Sequence, residues 1–439
     1  MATVWTTAVA PLRLLRNPRR RAAPVSSIIA GSGVREEEIV VVGAGIAGLA
    51  TAVSLSRLGV RSLVLEQGDS LRAGGTSLTL FKNAWRVLDA LGVGQDLRRE
   101  FLEIEGLAMR STEGKLLRYF TFKDVDPSQE VRAVERRVLL ETLASRLPAD
   151  SISFSSRLKS ISKGETMGTL LELEDGTLIH AKVVIGCDGV RSPVAKWLGF
   201  SEPRYVGHCA FRGLGVYPEG HSLDPKVNYV YGRGVRAGYV PVSPTKVYWF
   251  ICFNRPDPGP RVIDPSALKR EAAEMVVGWP AELRNAIDRT PDGSIVRTPL
   301  VDRWLWPLVS PPAATGGVVV AGDAWHPMTP NLGQGACCAV EDAVVLAGKL
   351  ATAMAGGSRG NAAIDRALED FCSERLARVF PLTVRSNLVG SLLQWDNPVV
   401  CAVRNGIVIP KLVMLGPFLE HTNFDCELPG PLSVSSVSG

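Results

Sequence analysis

Two glycine-bearing turns, far apart in the chain, carry the residue types and spacings best suited to chemistry. The first is Gly43-Ala44-Gly45-Ile46-Ala47-Gly48, directly after the apolar run 39–42. In a strand–turn–helix unit the first glycine permits a tight turn. The second lets a pyrophosphate approach the backbone, and the third lets helix and strand pack closely. Glu66, about 20 residues on, is placed to accept hydrogen bonds from a ribose. The second turn lies in VVVAGDAWHPMTPNLGQGACCAVEDAVVLAGKL, residues 318–350. An apolar run ends at Gly322-Asp323, a loop with Pro330 and Gly333-Gln334-Gly335 follows, and an Ala/Val/Leu helix opens near Ala336. Helix amino termini present free N–H groups and partial positive charge, so such a turn suits an anionic or polarised ligand. A third turn, KVVIGCDGVRSPVAKWLG at 182–199, ends a strand at Asp188 and places Pro193 near a helix start. Together they point to a dinucleotide; the glycine loop alone does not separate FAD from NAD.

The elements that must position these turns follow from periodicity. Residues 39–42 form an apolar run typical of a parallel strand buried on both faces. A helix through Arg57 and a strand at 60–66 complete one βαβ unit. Helical spacing returns at 83–91 and at 136–147, where Leu139, Leu140, Leu143 and Leu147 share a side. Strand-like segments occupy 107–121. Between 204 and 254 the chain turns to short segments rich in β-branched and aromatic residues, the pattern of an antiparallel sheet. Residues 265–288 read as helical. Arg212, His208, Tyr239 and Trp249 fall on the predicted sheet, where alternate residues point away from any pocket; each is read first as packing.

Composition excludes several classes. With 439 residues, 46% hydrophobic and 21% charged, the chain can bury a sizeable core. Residues 1–35 hold six arginines, several Ser and Thr and no acid, the profile of an organelle transit peptide, and plastids are the expected destination. The other reading is a disordered basic tail on a cytoplasmic protein. Those six arginines exceed the whole formal charge of +5, so the remaining body offers no basic stripe for nucleic acid. Eight cysteines contain no C-x-x-C, and five scattered histidines complete no metal set. The apolar stretch 397–419 is interrupted by Arg404, Lys411 and prolines, so no transmembrane span is expected. It suits either peripheral membrane contact or a helix packed on the body.

The order GAGIAG, CDGVRSPVAKWLG, GDAWHPMTPNLGQGACCAVEDA resembles the single-component, FAD-dependent aromatic hydroxylases over residues 38–378. Within that family it is most similar to plant-type monooxygenases like salicylate hydroxylase and the catalytic half of zeaxanthin epoxidase. The resemblance implies an α/β fold: a Rossmann-like FAD-binding domain, an inserted antiparallel-sheet substrate domain and a C-terminal helical segment. The corresponding boundaries are a transit peptide at 1–35, an FAD-binding domain at 36–110, 131–199 and 300–378, a substrate sheet at 200–299, and a C-terminal segment at 379–439. It further implies that Gly43, Gly45, Gly48 and Glu66 hold the ADP part of FAD. Arg136 would contact the flavin, with Arg137 a competitor, and Arg72 would lie near it. Asp188 would serve FAD and a transient nicotinamide pyrophosphate. Asp323 would bind the ribityl chain, and Pro330, Gly333, Gly335 and Ala336 would line the ring.

The implied reaction has NAD(P)H reduce FAD, which then captures O₂ as a C4a-hydroperoxide and delivers one oxygen atom to a hydrophobic aromatic or isoprenoid molecule. The protein's tasks are to hold the substrate over the ring and exclude water. No side-chain nucleophile is required, so His326 reads as a loop element and Glu341-Asp342 as structural. Two other readings share these motifs: a reductase of the geranylgeranyl reductase type, and a flavin-binding protein without turnover.

Overall fold

A computed structural model describes residues 33–71, 76–164, 168–259, 264–355 and 361–426. The expected transit peptide therefore falls almost wholly outside the described residues, as does Arg72.

An eight-stranded sheet carries the first turn. Its main path runs through Ala314–Thr315, Val318–Val320, Leu178–Gly186, Val34–Val42, Leu63–Leu65 and Ile152–Ser153. Val34–Val42 pairs in parallel with Leu63–Leu65, and Leu178–Gly186 with Val318–Val320. Ile39, Val40, Val41, Val64, Val184, Ile185 and Val319 are all fully buried, as expected of apolar strands in the interior of a largely parallel sheet. The helix Ile46–Arg57 packs against the 21-residue helix Gly335–Ala355, bringing the amino ends of the two turn helices to one side of the sheet.

The second sheet has seven strands, ordered Val296–Asp302, Arg204–Val216, Lys246–Asn254, Val235–Ser243, Lys226–Tyr231, Gly106–Ser111 and Leu116–Thr121. It is antiparallel as expected except at one place: Lys226–Tyr231 pairs in parallel with Gly106–Ser111. The sheet thus reaches outside 200–299 and takes two strands from 106–121. Pairing over more than a hundred residues leaves no local signature, which is why the pattern of 107–121 shows strands but not their partner.

Side-chain alternation divides this sheet. Trp249, Ile251, Phe211 and Tyr239 pack under the helices Pro265–Met275 and Ala281–Asp288 with Leu268, Leu283 and Ile287. The intervening residues face the first sheet.

The expected boundary at 378/379 falls inside one continuous helix, Asn361–Leu393. On one side of that point Arg375 and Arg378 bond Glu341, and on the other Ser386 bonds Thr329. Both halves are tied to the loop 322–334 and the helix that follows it, so the helix runs through. Beyond it come Pro398–Val403, Arg404–Leu412 and Leu415–Leu419. Among the described residues no single helix is long and apolar enough to cross a membrane.

Candidate active site

The glycine loop is held by close backbone contacts. Gly43 has φ +105°, a conformation that L side chains rarely adopt, and a Cβ there would lie 2.6 Å from Cys187 O. A Cβ on Gly48 would lie 1.9 Å from Gly43 O, so any side chain breaks the turn. Gly45 differs: the nearest atom to its would-be Cβ is 3.9 Å away, leaving open space above the amino end of Ile46–Arg57. No side chain caps that helix. Its free N–H groups therefore face the opening, an arrangement suited to phosphate.

Glu66 is buried and doubly used. Oε2 accepts from Ala44 N at 2.9 Å and Oε1 from Gly68 N at 2.9 Å. Its carboxylate ties the glycine loop to the following turn, in addition to any hydroxyl it would meet.

The two candidate arginines separate cleanly. Arg137 points to the surface and pairs with Glu141 at 2.7 Å. Arg136, first residue of Arg136–Ala144, lines a cavity of about 370 Å³. That volume falls in the range of small-molecule sites. Gly45, Asp323, Pro330, Gly333, Gly335 and Ala336 share the cavity wall. Asp323 opens onto it; burial within the cavity pushes its carboxyl up, opposed by His326, Arg136 and Arg212. Gly333 has φ +65°. That left-handed turn lets the chain enter Gly335–Ala355 with the helix's amino end at the cavity.

Asp188 stands nearby, on the turn whose Gly189 lines the cavity. Its Oδ2 accepts weakly from Val194 N at 3.3 Å, while the buried Oδ1 has no hydrogen-bond partner. Burial pushes this carboxyl up to about 6. A buried acceptor without a donor is costly, and a ligand hydroxyl would satisfy it. The open Gly45, the uncapped helix and the unpartnered Asp188 Oδ1 fit an FAD-like dinucleotide laid across the three turns.

The opposite wall is the second sheet. Tyr248, Phe250 and Cys252 line the cavity from Lys246–Asn254, Arg212 and Arg236 from the strands on either side of it, and Val227 and Tyr229 from Lys226–Tyr231 beyond. Of the four sheet residues singled out from sequence, Arg212 faces the cavity and bonds Thr298 at 2.9 Å. Tyr239 and Trp249 lie on the helix-covered face, where Trp249 Nε1 donates to Thr290 at 2.7 Å. His208 does not line the cavity.

Sequence reasoning missed Arg236. It is buried, donates to Gln394 Oε1 at 2.8 Å and bonds Asn331 Oδ1, joining the sheet, the flavin loop and the C-terminal segment. Only its parity with Gly238, opposite Phe250, could have hinted at its side.

Behind the flavin loop sits a fully buried charge cluster. Arg375 donates to Asp342 Oδ1 and Glu341 Oε2, each at 2.7 Å. His326 Nε2 meets Asp342 Oδ2 at 2.6 Å, and the same oxygen accepts from Gly322 N at 2.8 Å. Burial pushes the Asp342 carboxyl up, but His326 and Arg375 outweigh it and hold the group at about 2. His326 thus braces the Gly322-Asp323 turn from behind. Cys337 and Cys338 are buried, and burial pushes the Cys337 thiol up to about 12, which leaves no thiolate for redox chemistry.

The family description "FAD binding domain" matches residues 36–381. Among curated relatives, Monooxygenase 2 of Arabidopsis thaliana is 36% identical over 402 residues, covering 89% of this chain and 97% of the relative. The aurachin C monooxygenase/isomerase of Stigmatella aurantiaca is 30% identical over 380 residues, covering 84% of this chain and 93% of the relative. Klebsiella pneumoniae HpxO complexed with FAD and uric acid superimposes with a TM-score of 0.75 at 23% identity, over 88% of this chain and 96% of that one.

Proposed function

The chain belongs to the FAD-dependent aromatic-hydroxylase-type monooxygenases, and from that premise we propose that it uses NAD(P)H and O₂ to hydroxylate or epoxidise a hydrophobic aromatic or isoprenoid small molecule. The observation that carries this reading is the cavity itself. Its one wall is made of the three glycine-bearing turns, and the other of sheet side chains in which Tyr229, Tyr248 and Phe250 stand beside Arg212 and Arg236.

FAD, when bound, supplies electron transfer from NAD(P)H and activation of O₂ for delivery of one oxygen atom. The chain's own residues do the rest. Gly45 and the amino end of Ile46–Arg57 would receive the pyrophosphate, and Glu66 keeps that loop in shape. Asp188 Oδ1 and Asp323 would accept hydroxyl hydrogen bonds. Arg136 and the amino end of Gly335–Ala355 bring positive charge to the cavity, where it would stabilise a ring made more negative by reduction. Tyr229, Tyr248 and Phe250 would seat an apolar ring and keep water out. The arginine-rich residues 1–35 would direct the chain to plastids.

Isotopically labelled O₂ tests the reaction. The reading predicts one labelled atom in the product for each NAD(P)H consumed. A product that is reduced, with no label, would instead identify a reductase.

A further inference from the structure

The segment 398–422 turns its polarity inside out. Its buried charge, Arg404, points inward: Nη1 donates to Leu393 O at 2.8 Å, Nη2 to Gly232 O at 2.7 Å, and the guanidinium lies over the Tyr231 ring. Cys401 and Ile409 are buried with it. The outward side carries Val399, Val403, Ile407, Leu412 and Met414, each between 45% and 69% exposed. A helix lying on a soluble protein ordinarily shows the reverse. Leu388, Leu392 and Trp395 extend the exposed strip backwards. Eight of the sixteen large hydrophobic residues left exposed among the described residues thus fall between 388 and 414. A concentration of this kind marks an interaction surface.

We propose that this surface docks on a lipid bilayer, with 398–412 lying in the interfacial plane. Between 388 and 414 the exposed charges are Asp396 and Lys411 alone, and residues 397–419 contain no acid. A cation at the edge of an apolar strip suits phospholipid headgroups. Trp395, half exposed, has the amphipathic ring favoured at that depth. The chain bends by 88° between Pro398–Leu412 and Leu415–Thr422, and neither arm alone is long enough to span; the inward hydrogen bonds of Arg404 to the protein body favour the pair lying on the bilayer. The inner side of the same segment meets the cavity: Phe418 forms part of its wall, and Ile409 packs with Met109 and Tyr231 beside Tyr229. One layer of structure therefore separates the substrate cavity from the apolar surface, which places the site beside a reservoir of lipid-dissolved molecules.

Flotation of the full-length chain with phosphatidylcholine vesicles tests this, beside a triple variant carrying Val399→Asn, Val403→Gln and Ile407→Asn. Neutral lipid is chosen because the arginine-rich residues 1–35 would bind anionic vesicles through charge alone. The wild-type chain is expected to float. The triple variant should partition roughly tenfold less, with its bound flavin unchanged. A wild-type chain that stays in the aqueous fraction, or a triple variant that floats equally, overturns the proposal. So does a lipid-free dimer that the triple substitution converts to monomer, since the strip would then be a contact between copies. Flotation needs no turnover, so its result stands apart from the reaction proposed above.

Discussion

On the cofactor side of the cavity the wall is largely main chain: the Gly43–Gly48 loop and the helix ends behind Gly45 and Gly335. On the sheet side it is side chain, taken from every second position of neighbouring strands. The first wall depends on the absence of side chains in a few contiguous residues. The second depends on which face of each strand is turned inward. A dinucleotide common to many enzymes can be held by backbone N–H groups, whereas recognition of one substrate needs side chains that can change without disturbing the fold.

Substitutions on the two walls should therefore fail differently. Gly48→Val should have the largest effect, because its Cβ would sit 1.9 Å from Gly43 O. The expected result is a chain without bound flavin and with much reduced thermal stability. Gly45→Ala, whose Cβ would meet nothing nearer than Cys187 O at 3.9 Å, should fold and lose flavin only, because the methyl group would occupy the space left for the ligand. Absorbance of the purified proteins, read with melting curves, would break the comparison if Gly48→Val kept its flavin.

Next comes the brace behind the flavin loop. Asp342→Asn removes one partner of a fully buried ion cluster, at a cost of about 3–5 kcal/mol in urea unfolding. The pH dependence has a defined sign. Asp342 is held at about 2, below its unfolded value, so its contribution is full above the ordinary carboxylate range and is lost as pH falls towards 2. The variant's stability should fall less over that acid range than the wild type's.

On the sheet wall, Phe250→Ala should leave flavin content unchanged and weaken substrate-dependent turnover by roughly tenfold, since an aromatic contact of this kind contributes on the order of 1–3 kcal/mol. Steady-state kinetics beside the flavin absorbance would check both halves. The smallest effect is expected at Arg137→Ala, which removes a surface i,i+4 pair contributing below about 0.5 kcal/mol. A loss of flavin in that variant would show that the cavity-facing role assigned to Arg136 belongs to its neighbour.

The same contrast explains what could be read from sequence. The three turns are contiguous, so residue type and order announce them, and the helices and strands that flank them follow from local periodicity. The parity of Lys246–Asn254 could not be read, because VYWFICF is apolar on both faces: helices cover Trp249 and Ile251, while the cavity takes Tyr248 and Phe250. The same blindness hid Arg236, whose partners Asn331 and Gln394 lie on distant segments, and the parallel pairing that brings 106–111 beside 226–231. The resemblance favours Arg136 with Arg137 as competitor; the residues alone do not separate them, because one position along a helix turns a side chain by about 100°.

The most direct test of the account follows the visible spectrum of the purified full-length chain during anaerobic mixing with NADPH, with and without members of a phenol and isoprenoid panel. The expected result is a bound flavin whose slow bleaching at least one compound accelerates, linking the sheet wall to the dinucleotide wall. A colourless protein that FAD cannot reconstitute would contradict it.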